Sequence, residues 1–154
     1  MLNAHHYAVS VAWEGNQGTG TSGYREYGRQ HTVTAEAKHP IAGSADPTFR
    51  GDPTRWNPEE MLLAALSQCH MLSYLHSAVT HGITVVEYTD SAIGTMEQSG
   101  NGGHFTSVTL RPRITISHGD PDVALSINEE ASRNCFIAAS VNFPVGHKPL
   151  IIVL

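Results

Sequence analysis

Cys69 and Cys135 are the two side chains of this 154-residue chain best suited to covalent chemistry. A thiol ionised by its surroundings attacks electrophiles, and a second thiol within reach converts the product into a reversible disulfide. Cys69 sits in "NPEEMLLAALSQCH" (57–70), between polar Gln68 and His70. Cys135 follows Asn134 and precedes "FIAAS"; it is read as the start of a short helix over 136–141, whose dipole favours thiolate at that end. The two thiols lie 66 residues apart, each on or beside a predicted helix. Buried cysteines often act only as small hydrophobes. A redox pair requires that the two helices pack together.

Other chemistries find less support. Cys69, His70, Cys135 and His147 could be gathered around zinc, but no CxxC, HExxH or HxxxH spacing places them on one face. The ten histidines are scattered. Neither GxSxG nor GxxxxGK[ST] occurs, and the glycine-rich stretches 18–23 and 100–103 read as turns. No metal and no cofactor is expected.

The elements that must hold the cysteines are legible in outline. Asn57 suits a helix N-cap, Pro58 the first helical position, and Glu60 completes a capping box. That helix is expected from Pro58 to about His81, with Gly82 just past its end. Residues 61–86 contain no Asp, Glu, Lys or Arg, which raises the question of a membrane span. Gln68, His70, Ser73, His76, Ser77 and His81 interrupt the run, so a central helix buried on most sides is the better reading.

Residues 6–13 and 29–37 read as strands, and 39–57, with three prolines, as a loop or broken strand. "ITVVEYTDSAIGTMEQ" and "HFTSVTLRPRITIS", on either side of "SGNGG", form a long hairpin. In its second arm Val108, Leu110, Ile114 and Ile116 share a covered face, opposite Thr109, Arg111, Arg113 and Thr115. A second helix starts at Asp120-Pro121 and runs to about Arg133, and "PLIIVL" closes the chain as a strand. The expected class is α+β, as a single domain over 1–154.

A formal charge of −5, a pI near 6.0 and nine Lys plus Arg without a basic run argue against nucleic acid or an acidic membrane as partner. "MLNAHHYAVS" lacks the pattern of a secretory signal, and two cysteines do not make a secreted disulfide scaffold. A cytoplasmic protein is expected.

"NPEEMLLAALSQC", followed later by "NCFIAASVNFPV", resembles the osmotically inducible protein C / organic hydroperoxide resistance (OsmC/Ohr) family. Glu59 and Cys69 keep the family's ten-residue spacing, and the order of elements also matches. His70 after Cys69 and Phe136 after Cys135 stand where Phe and Pro are common, which marks a divergent branch. The resemblance implies an intertwined homodimer and a cysteine-based peroxidase. Cys69 would attack an organic hydroperoxide or hydrogen peroxide, Cys135 would resolve the sulfenic acid as a disulfide, and a dithiol reductant, lipoyl-type or other, would restore both thiols. It also implies an Arg–Glu pair supporting the thiolate. Glu59 takes the Glu role by motif; for the arginine, Arg50 comes first, with Arg55 and Arg25 as alternatives. The runner-up is a dimer of the same fold that binds a small molecule without turnover.

Helix geometry adds a constraint of its own. Ten residues on one helix span about 15 Å, so Glu59 and Cys69 of one chain cannot meet along a straight helix. If both serve one centre, a second chain must bring its Glu59.

Overall fold

A computed structural model describes residues 2–154 as two compact units, one reaching to Met61 and the other running from Leu62 to Leu154. The class is mixed α and β, as expected.

The first unit is built on a three-stranded antiparallel sheet of β1 (Ser10–Trp13), β2 (His31–Thr34) and β3 (Ile41–Gly43). Val11, Val33 and Ile41 fall in one cross-strand row, and Trp13, His31 and Gly43 in the next, so they share one face. That face is apolar yet open: Val9, Val11, Trp13 and Ile41 are all exposed. The long connection between β1 and β2 is drawn shut by backbone bonds from Glu14 N–H to Gln30 O and from Gly28 N–H to Gly15 O. A side chain at Gly15 would collide with the Gly28 carbonyl, with its Cβ only 1.9 Å from that oxygen, so glycine is required there. A 3-10 turn (Pro47–Phe49), capped by Asp46, ends at Arg50 in a left-handed conformation (φ 63°).

Helix α1 (Pro58–Thr80) begins as the sequence indicates. Asn57 Oδ1 accepts from Glu60 N–H at 2.8 Å, and Asn57 N–H donates to the Glu60 carboxylate at 3.2 Å, a complete capping box.

In the second unit the expected hairpin exists, but it is bent. Its arms break into β4 (Thr84–Asp90) and β5 (Ile93–Ser99), and into β6 (Gly102–Leu110) and β7 (Pro112–His118). β4 pairs with β7 and β5 with β6, so one hairpin contributes to two sheets. Two C-terminal strands complete them in parallel: β8 (Val145–His147) on β6 and β9 (Leu150–Val153) on β7. Asp90 fixes the bend. Its carboxylate accepts from the Arg111 N–H and from the Ser67 hydroxyl, each at 2.6 Å, and the Arg111 Nε–H reaches Ser91 O.

Helix α2 (Pro121–Asn134) is N-capped by Asp120. It packs on α1 through Tyr74, Ala78, Ala124, Ile127 and Ala131, with Ile83, Ile114 and Ile116 beneath. A second cluster gathers Leu66, Phe105, Val108 and Leu110. The buried stripe of α1 is Leu66, His70, Tyr74, Ser77 and Ala78, a single helical face. The expectation of burial on most sides needs correction for this chain alone: Leu72 (60 %) and Val79 (77 %) of α1 are exposed.

The short helix expected over 136–141 shrinks to one 3-10 turn, Ala138–Ser140, whose N-cap is Ile137. Cys135 instead forms the C-cap of α2. It therefore stands at the negative end of a helix dipole, and the argument for a dipole-stabilised thiolate there reverses.

Candidate active site

The two cysteines meet. Both are free thiols, and they lie close enough that Cys69 bears directly on the ionisation of Cys135. α1 presents Cys69 one turn ahead of Ser73, whose hydroxyl points to Asn134 O at 3.5 Å, so this face of the helix looks at the end of α2. Cys69 is partly exposed, whereas Cys135 is buried at 2 %.

The environment of Cys135 favours the protonated form. Burial pushes its thiol up to about 11, and donation of its S–H to Cys69 adds to the rise. The Ala138 N–H, 3.4 Å from Cys135 Sγ, works in the opposite sense without overcoming burial.

His70, next to Cys69 in sequence, belongs to the buried stripe. Its Nε2 lies 3.2 Å from Asn128 Oδ1, and its ring packs beside that of His147 at 5.5 Å between centroids. An amide oxygen only accepts, so His70 carries its proton on Nε2. Burial, the largest influence, holds its pKa below the ordinary value. His147 Nε2 is 3.3 Å from the Glu129 carboxylate, while its Nδ1 is buried without a partner. Among the described residues no group of three or more His, Cys, Asp or Glu is placed to hold a metal ion.

Glu59 lies in the first unit, on the wall of a cleft of about 300 Å³. Trp13, Tyr27, Phe49 and Pro58 supply apolar walls, and Arg29 is the arginine that lines it. One oxygen of the Glu59 carboxylate, Oε2, is buried without a hydrogen-bond partner. An unpartnered buried carboxylate oxygen is costly and calls for a donor.

The three arginines named from sequence stand elsewhere. Arg50 is exposed at the end of the 3-10 turn, and Arg25 is exposed as well. Arg55 stitches the sheet, reaching His31 O at 3.3 Å and Gly43 O at 3.4 Å beside Asp52. Arg29 was not singled out by sequence reasoning. The spacing Tyr24, Tyr27, Arg29 carried a signal, because a guanidinium seeks aromatic faces.

Known proteins decide the family. The sequence pattern of the OsmC-like protein family matches residues 51–148. The chain belongs to the OsmC-like protein family. Among solved structures, an OsmC-like protein of unknown function from Vibrio cholerae is 29 % identical, with a TM-score of 0.86 over 96 % of this chain and 100 % of that one. An organic hydroperoxide resistance protein OsmC from Legionella pneumophila is 15 % identical, with a TM-score of 0.65 over 97 % and 99 %. A further organic hydroperoxide resistance protein, from Elizabethkingia anophelis, is 17 % identical, with a TM-score of 0.67 over 97 % and 99 %. The last two show the OsmC fold alone. No protein of curated function matches the sequence. No helix among the described residues is long and apolar enough to cross a membrane.

Proposed function

We propose that this OsmC-like chain is a thiol-dependent peroxidase acting on organic hydroperoxides, and on hydrogen peroxide as a secondary substrate. The observation that carries the reading is the proximity of Cys69 and Cys135, 66 residues apart in sequence, at the place where Ser73 of α1 reaches Asn134 O at the end of α2. The Cys69 thiolate attacks the terminal peroxide oxygen, and the O–O bond breaks. Sulfur is oxidised to a sulfenic acid, and the alkoxide leaves and takes a proton as the alcohol. The Cys135 sulfur then attacks the Cys69 sulfur; the S–S bond forms, and the sulfenic hydroxyl leaves with the thiol proton as water. A dithiol reductant, lipoyl-type or other, returns two electrons and two protons to the disulfide. The reaction belongs in the cytoplasm, where such reductants are kept reduced.

The roles divide by environment. Cys69 is the partly exposed thiol that a peroxide can reach, and Cys135 the buried one that keeps its proton until the sulfenic acid is present. A thiolate in an apolar setting needs a cation. We assign that role to Arg29 rather than Arg50, because Arg29 shares its cleft with Glu59. α1 is one continuous helix, so the ten residues between Glu59 and Cys69 still span about 15 Å. The pair of Arg29 and Glu59 therefore serves the Cys69 of a second copy. The exposed apolar face of β1 to β3 and the open Leu72 and Val79 of α1 are the surfaces that such a homodimer covers.

The test is a peroxide-consumption assay with dithiol reductants, using alkyl, fatty-acid and hydrogen peroxides in parallel. Saturable turnover abolished by Cys69→Ser, with a Cys69–Cys135 disulfide found by mass spectrometry after peroxide treatment, is expected. An inactive wild-type protein that nonetheless binds apolar ligands would replace the peroxidase by the ligand-binding reading.

A further inference from the structure

Arg29 is held in an unusual way for a cation at a cleft. Its guanidinium carbon lies 3.9 Å from the centroid of the Tyr27 ring and 4.5 Å from that of Tyr24. Its Nη1 donates to Tyr27 O at 2.5 Å and its Nη2 to Tyr24 O at 2.8 Å. The same two residues thus supply both a ring face and a carbonyl. The clamp is braced from behind. The Trp13 ring meets Tyr27 edge-on at 6.0 Å and 80°, and Trp13 Nε1 donates to Gly28 O at 2.9 Å. Asn16 pairs with Tyr27 across the neck of the loop, and its side-chain oxygen accepts from the N–H groups of Gly18 and Gly20.

We propose that Tyr24 and Tyr27 are positioning residues that fix the Arg29 guanidinium on the wall of the Glu59 cleft. The proposal rests on the reading above only for the use to which the cation is put. A free arginine side chain samples many rotamers, and each productive contact must overcome that entropy. Two stacked rings and two carbonyls remove most of this freedom in advance. They occupy two of the five N–H donors and leave three for the cleft. Neither tyrosine hydroxyl takes part in the recorded contacts of the clamp. Ring faces and backbone oxygens do the holding, and that detail makes the idea sharp: phenylalanine keeps both, whereas leucine keeps only the carbonyl.

The experiment compares Tyr24→Phe, Tyr27→Phe, Tyr24→Leu and Tyr27→Leu with wild type. Proton NMR reads the clamp directly, because protons of Arg29 over two aromatic rings resonate upfield. Tyr24→Leu is the primary variant for folding, since Tyr24 is exposed and its truncation removes little core. The shifts are expected to persist in both Phe variants and to collapse partly in each Leu variant. Peroxide turnover and the alkylation rate of Cys69 at neutral pH are read on the same samples. Each Leu variant is expected to lose about fivefold in kcat/KM, as for the loss of one cation–π contact, with the Phe variants retaining turnover. Upfield shifts unaffected by leucine would overturn the proposal, as would Phe variants as impaired as the Leu variants. A wild-type protein with the NMR signature but no turnover would instead refute the peroxidase reading and leave the clamp established.

Discussion

Cys135 offers the most direct quantitative check on the site. Its thiol is pushed up to about 11 by burial and by donation to Cys69. At pH 8 such a thiol is ionised to about one part in a thousand, against roughly one part in eleven for an ordinary thiol at 9. Because the thiolate is the nucleophile, alkylation of Cys135 should run nearly a hundredfold slower than that of a free thiol. The Cys69→Ala variant isolates this thiol. It removes the hydrogen bond and charge of Cys69 but leaves burial, the larger cause, in place. The midpoint should therefore fall between 9 and 11. Mass spectrometry of iodoacetamide-treated variant across pH 7 to 12 gives the curve. The sign for stability follows from the same shift. A raised folded pKa contributes stability that is complete below the unfolded value near 9 and is lost as pH climbs through about 11. Cys135 alkylated at the free-thiol rate at pH 8, in a variant with an unchanged melting temperature, would refute the assignment of burial as the dominant influence.

Three other outcomes are expected. Arg29→Lys should lower peroxide turnover about tenfold, because an ammonium lacks the planar fork, while exposed Arg50→Ala should stay within about twofold of wild type; steady-state kinetics separate the two. His70 should titrate below the ordinary histidine value in an NMR pH series, and its contribution to stability should be present above about pH 6.5 and fade as pH falls through its lowered folded pKa. Leu66→Ala, at a fully buried position one turn before His70, should cost about 2–5 kcal/mol by urea unfolding, whereas a cost under about 1 kcal/mol would mean that the site collapses around the cavity.

The parts of this fold that local chemistry dictates were readable in advance. Asn57, Pro58 and Glu60 announce the start of α1, and Asp120-Pro121 that of α2, because caps depend on residues only two or three positions apart. Alternation at Val108, Leu110, Ile114 and Ile116 marks the covered face of the hairpin, and all four are buried. What escaped depends on distant partners. The bend at Ser91 and Ala92 has no Gly or Pro on its own arm, only Pro112 on the opposite one, and it is fixed by Asp90 reaching Ser67 and Arg111. Cys135 was displaced by only a few residues relative to its helix, yet that moved it from a positive to a negative dipole end. Arg29 is read from sequence as the first residue of a strand over 29–37, but β2 begins only at His31, and its place at the cleft rests on rings brought over it by loop closure.

The bent hairpin also bears on how the second unit acquires its shape. Every pairing from Thr84–His118 to Ser99–Gly102 is nested around the same tip, so β4 to β7 can zip from one local nucleus without a long loop closure. The outer strands differ. β8 and β9 each join by parallel pairing after α2 has intervened, which is a slower, non-local step. The segment between α2 and β8 contains Cys135. Cys135, the resolving thiol of the proposed cycle, is thus carried on the part of the chain that docks late, and in that cycle an oxidant meeting an incompletely folded molecule would find Cys69 without its partner. Under oxidative stress during synthesis, such molecules are the ones exposed to overoxidation, beyond the sulfenic stage from which a neighbouring thiol could recover them.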